Sequence, residues 1–144
     1  MKNFFLLLLI LLFTINGFAS HFIGGEITWE CDTDPLSPNY GKYTFFLTIY
    51  QDCDGIDFSF VSESINVHNH PSLSAINCNF LTTNDISATG VAGTTPCYNC
   101  DNQPFGQFGA VKQWLYSSGP ITVTGTPPAS GWHFTWGSCC RSSQ

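Results

Sequence analysis

The chain has 144 residues, of which 10% are charged and 15% aromatic, and its formal net charge is −6. Four basic residues against ten acidic ones leave no phosphate-seeking surface, so nucleic acid and anionic membranes are not expected partners. The length suits one domain, and solubility has to come from Ser, Thr, Asn and Gly rather than from charge, as in a secreted β protein.

The first residues are set apart from the fold. Lys2 supplies a positive start, residues 4–13 form an uncharged apolar run, and Gly17 and Ala19 place small residues where a signal peptidase cuts. The run is shorter than the roughly 20 residues a bilayer span requires. Residues 1–19 therefore read as a cleaved signal peptide, leaving a domain over residues 20–144. Its seven cysteines, Cys31, Cys53, Cys78, Cys97, Cys100, Cys139 and Cys140, are all disulfide candidates behind such a leader. Seven is odd, so three bonds and one thiol are expected.

The mature chain opens on a strand over residues 21–31. Ile27 and Trp29 share one face, Glu26, Thr28 and Glu30 the other, and Gly24-Gly25 lets the backbone bend or bulge on entry. A polar loop of turn residues follows. Residues 42–52 then alternate as the clearest strand, with Tyr43, Phe45, Leu47 and Ile49 on one face, and the two strands are expected to pair antiparallel. Asp52-Cys53-Asp54-Gly55 makes a turn. A third strand is expected over residues 58–67, broken at Pro71, and a weaker one around residues 76–81. From residue 82 to 107 the periodicity fails and a long loop is expected. Two short strands, residues 110–116 and 120–124, should flank a turn at Ser117-Ser118-Gly119. The last strand covers residues 132–139, with Trp132, Phe134 and Trp136 on one face. Short strands bounded by turn residues indicate an antiparallel β-sandwich or an open barrel; a disulfide-stapled sandwich of Ig-like architecture is the expectation at this size.

Three segments carry a resemblance: His21 to Cys31 with its Gly-Gly-Glu-Ile-Thr-Trp-Glu-Cys run, Tyr43 to Cys53, and Gly131 to Arg141 ending Cys-Cys-Arg. In this order behind a leader, they are similar to the N-terminal region of large secreted proteins of Bacteroidetes, described as gliding-motility-associated or adhesin-like. The resemblance implies a secreted or cell-surface setting and further β domains of the same protein as partners. It also implies chain beyond Gln144, so the domain is expected to be truncated at its C-terminal end. It carries over no catalytic residue.

Candidate chemistry is sparse. Asp52, Asp54 and Asp57 surround a glycine turn with hard oxygen ligands, as a calcium loop requires, but no Glu closes an EF-hand and a polar turn is the plainer reading. Cys97-Tyr98-Asn99-Cys100 has redox or zinc spacing, without the helix or the second cysteine pair those chemistries need; a structural disulfide fits better. Cys31 and Cys53 each end a strand of the first pair and are expected at one end of the sheet. Cys139 and Cys140, adjacent on a strand, should find different partners. His68 and His70 would share a strand face but lack a third metal ligand. Glu26 and Glu30 share a solvent face. Trp29, Tyr50, Trp114, Trp132 and Trp136 are either core or a sugar-stacking platform. No nucleophile elbow, zinc-protease motif or phosphate loop is present. A non-enzymatic surface module without a cofactor is the first expectation. A carbohydrate-binding module, with calcium possible and surface glycans as partners, is the second.

Overall fold

A computed structural model describes residues 22–55, 57–58, 60–87, 100–103 and 109–137. The expected signal peptide at residues 1–19 lies outside the described residues, as do Cys97, Cys139 and Cys140. The chain runs through six strands: β1 (Phe22–Cys31), β2 (Tyr43–Asp52), β3 (Ser62–His68), β4 (Ala75–Asp85), β5 (Val111–Ile121) and β6 (His133–Thr135). Among the described residues, no helix is long and apolar enough to cross a membrane.

The strands form a single sheet in the order β1-β2-β5-β4-β3-β6, with every neighbouring pair antiparallel. The expected two-sheet sandwich of Ig-like architecture is thus not shown. One sheet instead curls until its first and last strands approach. The Phe22 ring of β1 lies 5.2 Å from that of Trp136, just past β6, and Phe45 of β2 lies 4.9 Å from Phe134 within β6. A twisted sheet can cover its own apolar face in this way and needs no second layer.

Alternation decides what goes inside. From β2 come Phe45, Leu47 and Ile49, from β3 Ile65 and Val67, from β4 Ile76 and Cys78, and from β5 Trp114 and Tyr116, all buried in one cluster. Each such apolar side chain contributes about 1.5–3 kcal/mol on burial. Gln51 continues the inward row of β2 and is buried too; the Trp114 indole N–H donates to its Oε1 at 2.9 Å, which offsets the burial of both polar groups.

The first hairpin follows the sequence reading closely. β1 and β2 pair from Phe22↔Gln51 to Cys31↔Tyr43, and the register shifts between Phe22 and Gly24, at the glycine pair. A Cβ on Gly25 would stand 2.8 Å from the Thr48 carbonyl oxygen, whereas one on Gly24 would meet nothing within 4 Å. The antiparallel register also corrects one expectation. Cys31 ends β1 where β2 begins, while Cys53 follows the far end of β2, so the two lie at opposite ends of the ladder, roughly 30 Å apart at about 3.3 Å per residue.

Later strands depart further. β3 starts at Ser62, four residues later than expected; Phe58 is buried outside it, and Phe60 and Val61 are exposed. β4 runs on to Asp85, through residues expected to be loop, because its polar second half pairs with β5 from Thr82↔Leu115 to Asp85↔Lys112. Backbone pairing holds this stretch, and it leaves no mark on side-chain periodicity. β5 is one strand of 11 residues where two were expected. The serines at the expected turn sit in a bulged ladder, with Ser118 Oγ accepting the Phe45 N–H at 3.0 Å and Gly119 at φ +66°. β6 has three residues, held by β3 through His68↔His133 and Asn66↔Thr135.

Two outcomes follow from this packing. Gly25→Ala should lower unfolding free energy by about 1–3 kcal/mol in urea titrations, since backbone must move, while Gly24→Ala should be near neutral. Burial also pushes the Cys78 thiol up to about 11, and burial followed by the Glu63 charge pushes the Tyr116 hydroxyl up to about 12. Both stay protonated in the fold after the unfolded chain has begun to ionise at its ordinary values of 9.0 and 10.0. This stability is therefore complete below pH 9 and is lost as pH rises through 12. Among the described residues, the Tyr116 hydroxyl is buried with no hydrogen-bond partner. Tyr116→Phe should hence raise stability at pH 7 by about 1 kcal/mol and remove the upper part of the alkaline loss, read from urea midpoints between pH 7 and 12.

Candidate functional site

The candidate site is the seam where the curled sheet fails to close. Among the described residues, β1 is paired with β2 alone and β6 with β3 alone, so each presents an edge to the gap. Five antiparallel steps make β1 and β6 run in opposite directions. Trp136 therefore stands level with Phe22, and residues 131–132 stand level with Trp29.

Two hollows lie along this seam and meet at Phe134. The first, about 630 Å³, is walled by Gly24, Gly25 and Glu26 of β1 and by Thr135 and Gly137 opposite, over a floor of Ile27 and Leu47. The second, about 430 Å³, is almost wholly apolar, with Trp29, Tyr43, Trp132, Val123 and Pro127 around it. Trp29 has the parity of Ile27 and so points toward the inner side, yet it remains 58% exposed, since no neighbouring strand among the described residues covers it. The Tyr43 ring, 5.8 Å away, packs on it edge-on.

The aromatic residues singled out from sequence thus divide. Trp29 and Trp132 line the second hollow, Trp136 lines the first and donates its indole N–H to Glu63 Oε2 at 2.9 Å, and Trp114 is core. Tyr50 lies on the outer face and donates to Glu26 Oε1 at 2.8 Å; that bond, ahead of partial burial, raises its pKa. Glu26 and Glu30 are both exposed on the outer side of β1.

In the calcium hypothesis, the Asp52 and Asp57 carboxylates have protein partners. Asp52 Oδ1 accepts the Asp54 backbone N–H at 2.9 Å and the Gln103 side-chain amide at 2.7 Å, and Asp57 forms an ion pair with Lys112 at 2.7 Å. No group of three His, Cys, Asp or Glu side chains suited to a metal occurs among the described residues. His68 and His70 do not act together either. His68 Nε2 meets Thr135 Oγ1 at 2.8 Å, tying β3 to β6. His70 Nδ1 accepts the N–H groups of Ser72 and Leu73, which leaves Nε2–H to donate to the Thr124 carbonyl at 2.9 Å. These bonds lock a turn, and the ring packs tilted against Trp132 with centroids 4.7 Å apart.

Among the cysteines, Cys53 and Cys100 are joined, with a sequence separation of 47, so Cys100 does not close a ring with Cys97. A loop of that size is worth about 4 kcal/mol in the chain-entropy picture. Among the described residues, Cys31 and Cys78 are free thiols; Cys97, Cys139 and Cys140 lie outside them. Around the disulfide, Asp85 accepts from the Ser87 hydroxyl and from the backbone N–H groups of Cys100 and Ser87, and these bonds hold its pKa below the usual carboxylate range. Gln103 bridges Asp52 to the Ala110 N–H. Neither Asp85 nor Gln103 stands out in the sequence, because their partners lie 15 and 51 residues away. Tyr43 and Phe134 of the seam are legible only as strand residues, since nothing local reveals that the sheet stops short of closure.

A disulfide of this kind belongs to an oxidising, non-cytoplasmic environment. Comparison with protein-family models, curated proteins and solved structures finds no match to this chain.

Proposed function

We propose that the chain is a non-enzymatic module of a secreted or cell-surface protein, adhesin-like or gliding-motility-associated, that works by binding through its seam. The open, aromatic-walled trough between β1 and β6 carries this reading. The residues that sequence offered for chemistry support it too. The Asp52 carboxylate and His70 are spent on holding turns, and Asp57 on an ion pair, which leaves apolar surface and strand edges as the available means of recognition. Further domains of the same protein and other cell-surface proteins are the partners this setting offers. The acidic balance disfavours nucleic acid.

Trp29 favours a second reading, a carbohydrate-binding module, because an exposed indole face is a surface on which a sugar ring stacks. The second hollow around it offers few polar groups to receive hydroxyls, and in the calcium-assisted version Asp52 and Asp57 already have protein partners. A glycan array read with and without chelator separates the readings. We expect no chelator-sensitive signal; glycan binding lost on chelation, and lost again in Trp29→Ala, would establish the carbohydrate module instead. Secretion is tested by expressing the whole chain in a Gram-negative host. Intact mass of the periplasmic product should place its first residue at Ser20, and a product retaining residues 1–19 would make the leader an anchor.

A further inference from the structure

A strand edge in a gap specifies what fills it more narrowly than an apolar hollow does. Along the first hollow, residues 24–27 of β1 face residues 134–137 across a space bounded by backbone on both sides and floored by Ile27 and Leu47. An edge offers evenly spaced N–H and C=O groups, whose natural complement is another extended backbone. At an average residue volume, about 630 Å³ accommodates roughly five residues in extended form.

Polarity sets the direction. Because β1 and β6 are antiparallel to each other, one strand inserted between them must be parallel to one of them. β1 presents ten residues and β6 three. Antiparallel pairing is the more stable per residue, so it belongs on the longer edge.

Charge sets the sequence. An inserted strand alternates, placing inward residues beside Gly25, Ile27 and Trp29 and outward ones beside Glu26, Thr28 and Glu30. The inward neighbours are apolar or lack a side chain. Two of the three outward neighbours are carboxylates, both exposed, and among the described residues no basic residue lines either hollow. A second copy of this chain fits poorly, since pairing β1 with β1 would bring these same carboxylates toward each other.

We propose that the seam is an acceptor slot for an extended peptide strand of a partner protein, apolar at inward positions and basic at outward ones, which pairs antiparallel with β1 and completes the barrel. The inserted strand covers Trp29 and carries the sheet across to β6. This deepens the reading of the seam as a binding surface, and it fails separately from that reading: a seam that binds a peptide without protecting the β1 amides would remain a binding surface and refute the slot.

The probe is a capped seven-residue peptide alternating lysine and valine, added to the disulfide-intact chain. Hydrogen exchange at the amides of residues 24–30 and tryptophan fluorescence report binding. Protection should appear along β1, and a matched peptide with glutamate for lysine should bind about tenfold more weakly, as two like-charged cross-strand pairs replace two opposite ones. In the double variant Glu26→Lys, Glu30→Lys, that preference should reverse. Methylating the backbone nitrogens that face β1 should abolish binding. Absence of binding, binding without protection of β1, or equal binding of the methylated peptide would overturn the proposal, the last by reducing it to attraction between a basic peptide and an acidic surface.

Discussion

Phe134 and Trp136 decide whether this chain has an interior. A single antiparallel sheet has two faces and normally needs a helix or a second sheet to cover one of them. Here the cover is the sheet's own last strand, brought over β1 and β2 by two aromatic contacts, Phe134 on Phe45 and Trp136 on Phe22. With those rings away, the inward rows of β1 and β2 would face water. The three backbone pairs between β3 and β6 are a short ladder for such a task, which explains why side chains reinforce it: His68 to Thr135, and Trp136 to Glu63.

Closure by side chains rather than by a backbone ladder leaves the seam. Phe22 and Trp136 meet at one end of the gap while the edges beside them remain unjoined to each other. Exposed edges invite indiscriminate pairing, and proteins guard them with charge, glycine and bulges. β1 has all three, in Glu26 and Glu30, in Gly24-Gly25, and in the register shift after Phe22. The same devices that discourage self-association also narrow what can be accepted.

How much of this could be read from sequence depended on whether the deciding interaction was local. β1 and β2 were legible because alternation and a glycine pair are short-range signals, and the register between them follows from the loop they share. β5 was read as two strands because Ser117-Ser118-Gly119 has turn composition. The Phe45 amide that makes Ser118 part of the ladder lies 73 residues away. β4 beyond residue 81 was hidden for the same reason, its partner strand lying beyond a break in periodicity. Sandwich and barrel differ in strand order, which alternation does not encode: period two assigns residues to a face and is silent on which strand sits beside which. The seam leaves no local signal either: Trp29 and Trp132 read equally as core or as platform.

The two ends of the molecule are built on different principles, and the contrast bears on function. At the far end of β2, polar bonds converge on the Cys53–Cys100 disulfide: Asp85 holds the Cys100 amide, Gln103 ties Asp52 to Ala110, and Lys112 pairs with Asp57. Covalent and charge-assisted links fix that region whether or not the aromatic rings are seated. Around Trp29, by contrast, the contact is ring on ring with Tyr43 beside an apolar hollow, and it can separate and re-form without stranding a charge. Fixing one end of β2 independently of the seam means that the gap can be filled or emptied while the β2-β5-β4 ladders stay in register. A module built to receive a partner along one edge needs that separation between a frame that does not yield and an edge that can.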